Sequence, residues 1–133
     1  MNTSTLAFLG DAFFELYVRR MLAEQGGTYA ADRLHSASVR YVRASSQAKA
    51  VKGLLESGVL SDEEKEVVRK ARNRKPKTVP KNADPVEYKL ATAFEALLGF
   101  HYSGGRADRA EKLAGLAVAL IDGIEPERND RTK

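Results

Sequence analysis

Apolar residues recur along this chain at mixed three- and four-residue spacings and never alternate for long, a pattern that predicts helices and no strands. The first predicted helix covers residues 4–24 and stops before Gly26-Gly27. Apolar residues stand on most sides of its opening turns, which predicts a central helix rather than a surface one. A second stretch covers 29–43, with Leu34, Ala37, Tyr41 and Val42 near one side, and a third covers 45–57 and ends at Gly58. Ser61 with Glu64 three residues later is the signature of a capping box. The helix it opens turns basic toward Asn73, which suits the negative end of a helix dipole.

Pro76 and Pro80 break the pattern and leave 74–84 as the one long loop. Asp84-Pro85 opens a fifth helix with proline at its first position, and Gly104-Gly105 stops it after Ser103. A sixth covers roughly 107–122. The expected fold class is therefore all-α, in a single domain over 1–124, with a polar C-terminal tail over 125–133.

Composition narrows the chemistry. The chain has 133 residues, enough for one domain with a sizeable core, and no cysteine, so any metal must take oxygen or nitrogen ligands. No basic leader or cleavage site precedes the first apolar segment, and the apolar segments are too short and too charged to span a bilayer. A soluble cytoplasmic protein is expected.

Charge is unevenly placed. The formal net charge is +4, but residues 69–81, RKARNRKPKTVPK, hold seven basic residues and no acid. The rest of the chain carries 15 basic and 18 acidic residues, so the positive charge sits in one segment, as expected for a polyanion partner. The segment contains no aromatic residue for stacking on single-stranded bases, so duplex RNA, met by shape and phosphates, suits it better. A solvated, flexible loop is the plain alternative.

Two carboxylates stand out. Between Thr5 and Val18 only Asp11 and Glu15 are charged, and between Leu90 and Tyr102 only Glu95 is, apart from His101. A lone acid in an apolar helix is expected to be protonated, paired or metal-bound. Asp11 and Glu95 on separate helices thus suggest a shared divalent cation, with an arginine partner as the alternative. Glu15 lies one turn after Asp11 and either adds a third oxygen or pairs with Arg19, four residues on. The sequence contains no HExxH, P-loop, GxSxG or EF-hand pattern, and His35 and His101 read as packed or surface residues. Phosphodiester hydrolysis needs only acids and Mg²⁺, which keeps several waters and so requires few protein ligands.

These motifs resemble the ribonuclease III family. AFLGDAFFEL at 7–16 is similar to its signature helix, and TAFEALLG at 92–99 to its second acidic motif. LGDAFFELYVRR, LHSASVRYVRASSQAKA, RNRKPKTVPKN and ATAFEALLGF resemble the family's Mini-ribonuclease III branch, in order, over about residues 4–122. Asp11 and Glu95 match two of the four acids of the wider family's metal site. Ala7 and Thr92 stand where the other two would be, replacements typical of the Mini branch that leave the number of metals open.

The resemblance implies a ribonuclease III-like helical homodimer, with one catalytic centre per subunit and duplex RNA lying across both. It also implies a Mg²⁺-dependent endoribonuclease that leaves 5′-phosphate ends, with Asp11 and Glu95 catalytic and metal-binding and Glu15 a further candidate ligand. The branch lacks a separate double-stranded RNA-binding domain. Affinity then rests on the catalytic domain, with Arg72, Arg74, Lys75, Lys77 and Lys81 expected to hold phosphates. The implied substrate is a terminal stem of 23S ribosomal RNA precursor, and a large-subunit ribosomal protein is a candidate partner. The alternative is a non-catalytic RNA-binding or ribosome-assembly module on the same fold. A purely structural helical dimer would leave the basic segment unexplained.

Overall fold

A computed structural model describes residues 1–26, 30–75 and 78–124. It contains six helices: α1 (Thr3–Gly26), α2 (Ala31–Val42), α3 (Ala44–Ser57), α4 (Asp62–Asn73), α5 (Pro85–Ser103) and α6 (Ala107–Ile121). Their order follows the hydrophobic pattern. Two boundaries shift by two residues, since α1 runs to Gly26 and α2 opens at Ala31 rather than 29, and others move by one. The expected tail lies outside the described residues.

The helix ends are made by the residues the sequence offers for them. Ser61 Oγ accepts from the Glu64 amide at 3.2 Å, and the Glu64 carboxylate accepts from the Ser61 amide at 2.8 Å. These two bonds satisfy otherwise unpaired groups at the start of α4. Asp84 accepts from the Val86 amide at 2.9 Å ahead of Pro85. Between α2 and α3 the chain breaks at one extended residue, Arg43. Ser46 and Gln47 answer carbonyls at the end of α2: Ser46 Oγ donates to Arg40 O at 2.6 Å, and Gln47 Nε2 donates to Val42 O at 3.0 Å.

The central helix is α5, not α1. From Leu90 to His101 almost every side of α5 is buried. Helix α1 buries only the face carrying Ala7, Phe14 and Val18, while Phe8 and Leu16 are 77% and 69% exposed. The all-round apolar pattern of α1 thus combines a core face with a second apolar face on the outside. Phe14 meets Phe94 edge-on with ring centroids 4.9 Å apart, and both are fully buried. Such a pair adds about 0.5–1.5 kcal/mol beyond the area it removes from water.

One buried polar network ties α4, α5 and α6 together. Arg109 donates to both Glu64 oxygens at 2.8 Å, and to Val59 O at 2.8 Å. Arg106 Nε donates to His101 Nδ1 at 3.0 Å, so the ring proton sits on Nε2 and is directed at Glu64 Oε2, 2.6 Å away. Burial pushes the Glu64 pKa up, but bonds from Arg109, the Ser61 amide and His101 outweigh it and bring it to about 2. Burial holds the His101 pKa below its ordinary value, against the pull of Glu64. His101 is therefore a packed residue, as expected from the sequence.

Candidate active site

Helices α1 and α5 cross backbone against backbone. A Cβ on Gly10 would lie 1.7 Å from the Glu95 carbonyl oxygen, and one on Gly99 would lie 1.8 Å from that of Leu6. Only glycine allows this approach. Asp11 follows one of these glycines, and Glu95 supplies the carbonyl that faces it, so the crossing brings the two carboxylates to one place.

Asp11 and Glu95 line a cavity of about 240 Å³. Ser4, Ala7 and Phe8 of α1, Ala71 and Arg74 at the end of α4, and Tyr88, Lys89 and Thr92 of α5 complete its wall. Steps of three and four residues put each helix's contributions on one face. Asp11 is exposed although its neighbours in sequence are mostly apolar. The reason is that α1 lies at the edge of the fold, and its Asp11 side opens onto the cavity rather than into the core. Glu95 is only partly accessible.

Asp11 bears on the charge of its neighbour. Burial raises the pKa of Glu95, and the negative charge of Asp11 and a hydrogen bond between the carboxyls raise it further. The Gln47 amide opposes them, and the result is about 8. Among the described residues neither acid is in an ion pair, so the arginine alternative is not what the structure shows.

Facing carboxylates with no cation of their own among the described residues fit a hard divalent ion held by oxygen. Among the described residues no group of three or more His, Cys, Asp and Glu side chains converges on a metal position. Two carboxylates are too few for a closed protein cage but suit Mg²⁺, which retains much of its water.

Residues 4–106 match the family model of the ribonuclease III domain. The chain belongs to the ribonuclease III family. It is 42% identical over 118 residues to a Mini-ribonuclease 3 of Symbiobacterium thermophilum, covering 89% of this chain and 88% of that one. It is 41% identical over 122 residues to a Mini-ribonuclease 3 of Thermoanaerobacter sp., covering 92% and 84%. A crystal structure of a protein from Fusobacterium nucleatum superimposes with a TM-score of 0.73 at 32% identity, over 85% of this chain and 88% of that one. Within the ribonuclease III family the chain falls in the Mini-ribonuclease 3 branch, and it is an endoribonuclease.

The cavity draws in some of the candidate residues and not others. Ala7 and Thr92, the two positions without acids, both lie in the cavity wall, so their replacement leaves two carboxylates there. The Thr92 hydroxyl donates to Tyr88 O at 2.9 Å within its own helix. Glu15 accepts from Arg19 Nε at 3.2 Å and does not line the cavity. Of the basic residues, Arg74 lines the cavity, whereas Arg72, Lys75 and Lys81 are exposed beside it in sequence. Lys77 lies outside the described residues.

Sequence reasoning missed Tyr88, Lys89 and Gln47. Tyr88 was open to discovery, because Tyr88, Thr92 and Glu95 follow a four-then-three spacing. Gln47 carried no such signal.

Proposed function

We propose that this ribonuclease III family member cuts duplex RNA at a Mg²⁺ held by Asp11 and Glu95, and that its substrate is a terminal stem of 23S ribosomal RNA precursor. The observation that carries this reading is the cavity itself. It holds two facing carboxylates, with the cationic side chains of Arg74 and Lys89 in the same wall. Acids alone would repel a phosphate. Acids that hold a cation, flanked by Arg74 and Lys89, would seat one.

Each group has a task in this reading. Asp11 and Glu95 hold the ion, directly or through its waters. Arg74 and Lys89 offset charge on the scissile phosphate, and Arg72, Lys75, Lys77 and Lys81 follow the backbone of the duplex. Mg²⁺, when bound, polarises a non-bridging phosphate oxygen and acidifies water. The water oxygen bonds to phosphorus, the P–O3′ bond breaks, and the departing O3′ takes up a proton. The products carry 5′-phosphate and 3′-hydroxyl ends.

The exposed side chains of Phe8 and Leu16 on α1 support a homodimer, since they form an apolar face beside the cavity. A cytoplasmic setting suits the substrate, and a large-subunit ribosomal protein is a candidate partner in presenting the stem. A non-catalytic module would explain the fold and the basic segment. It would not explain two acids kept face to face without a cationic partner.

The test is incubation of the purified protein with a labelled RNA duplex in Mg²⁺ and in EDTA, alongside Asp11→Asn. Cutting is expected in Mg²⁺ only, with a fall on the order of 1,000-fold in Asp11→Asn at unchanged helicity. An Asp11→Asn protein that cuts as fast as the parent would remove the site assignment. Comparison of the precursor stem with a generic duplex of equal length then tests the substrate.

A further inference from the structure

Lys89 is the only lysine or arginine on α5, and it lines the cavity together with Thr92, Glu95 and Asp11. It is half-buried. Among the described residues it is in no ion pair, although two carboxylates stand in the same wall. Taking an ammonium out of water without a partner is costly. A cation that served only the fold would be paired, as Arg109 is with Glu64. Lys89 is therefore held for an anion that enters the cavity.

Charge sets how many cations that anion meets. With both acids ionised, the wall carries two negative charges and, on Arg74 and Lys89, two positive ones. One or two carboxylates are the usual protein share for a Mg²⁺ that also binds phosphate. One such ion leaves the cavity with a double positive charge. That matches the double negative charge of a phosphodiester under attack by hydroxide. A second ion would leave two positive charges unanswered, and among the described residues no third acid joins the two to hold it. Where a phosphoryl-transfer site has a second metal, that ion stabilises charge on the reacting oxygens. Here an ammonium already stands in the cavity for that task.

Arg74 differs in place. It ends α4, where the basic segment runs on into the loop, and so belongs with the residues that follow the duplex. Lys89 stands on the helix that carries Glu95, one turn before Thr92.

We infer that the cavity takes a single divalent ion per chain and that Lys89 is its second catalytic cation, donating to a non-bridging oxygen of the scissile phosphate as charge builds there. This assignment rests on the reading of Asp11 and Glu95 as the metal ligands. It adds the number of ions, and it gives Lys89 a part in the rate rather than in binding alone.

The test counts ions and follows the rate in parallel. Mn²⁺ is titrated into the intact protein to millimolar concentration, and free Mn²⁺ is read by electron paramagnetic resonance. The expected result is one Mn²⁺ per chain, lost in Asp11→Asn. In Lys89→Met, single-turnover cleavage of a labelled duplex at saturating RNA and Mg²⁺ should fall on the order of 100-fold, with duplex affinity within about threefold of the parent. Mn²⁺ should bind Lys89→Met more tightly than the parent, because a like charge has left the cavity. Lys89→Arg keeps the charge and should recover part of the rate. Melting temperatures are recorded throughout, and Lys89→Gln takes the place of Lys89→Met if that variant fails to fold.

Two Mn²⁺ per chain, both lost in Asp11→Asn, would overturn the single-ion site and leave the metal reading intact. A Lys89→Met protein with weaker duplex binding, but with the parent's saturated rate and Mn²⁺ affinity, would make Lys89 one more backbone contact and overturn its catalytic role. A parent protein that binds no Mn²⁺ would overturn the metal reading itself.

Discussion

Glu64 and Glu95 are two carboxylates on helices of one small fold, and they end with opposite characters. Glu64 sits at the start of α4 with a guanidinium on both oxygens, an imidazole N–H and a backbone amide, and its pKa falls to about 2. Glu95 sits mid-helix beside a second acid, with a single amide in its favour, and its pKa rises to about 8. Burial opposes the charged form of both. What differs is what surrounds them. Groups that serve only the fold are fully paired, while those kept in a costly state mark sites of chemistry. The first cluster ties three helices together, and the second has the makings of a cation site.

The contrast can be broken from the paired side first. Arg109→Met should strip Glu64 of its main cation and destabilise the fold by about 2–4 kcal/mol, measured by urea unfolding at pH 7. The sign with pH follows from the direction of the shift. Glu64 is held below its ordinary value, so its contribution is present above about pH 4.5 and is lost as pH falls through about 2. In Arg109→Met that acid-side loss should disappear. A variant as stable as the parent would show that the network does not hold α4 against α6.

From the unpaired side the sign reverses. Glu95 is raised above its unfolded value, so the folded state keeps a proton that the unfolded state releases. Stability should fall as pH rises from about 4.5 toward about 8. Glu95→Gln removes that loss. At pH 8.5 without divalent ions the variant should be more stable than the parent by about 2 kcal/mol, and the gain should vanish near pH 4. Equal stability at both pH values would mean that Glu95 is not strained. Cleavage should be lost in the same variant.

The smallest effect sharpens the boundary between the regions. Arg74 lines the acidic cavity without an ion pair to either acid among the described residues. Arg74→Ala should leave stability within about 0.5 kcal/mol. It should weaken RNA binding and lower the slope of log affinity against log salt by about 1. An unchanged slope would take Arg74 off the phosphate path.

Much of this was legible in the sequence because it is local. The capping box at Ser61 and Glu64, the Asp84-Pro85 start and the glycine stops depend on residues a few positions apart, and the end of α3, the start of α4 and both ends of α5 follow from them. Asp11 and Glu95 stood out because a charge in an apolar helix is costly wherever that helix goes. Tertiary facts were not legible. Phe8 and Phe14 look alike on paper, yet one is exposed and the other buried, since facing the core is decided by the α1–α5 crossing. Glu15 had two partners at equal helical spacing, and only side-chain geometry chose Arg19. Gln47 bears on the charge of Glu95 across 48 positions of sequence, and no period encodes that influence.

The most direct test of the cation site is a carbon-13 NMR titration of the Glu95 carboxyl, without divalent ions and then in Mg²⁺. The account predicts a midpoint near 8 without the ion, moving to lower pH when Mg²⁺ is added, because metal binding competes with the proton. A midpoint in the ordinary carboxylate range that Mg²⁺ leaves unmoved would contradict it.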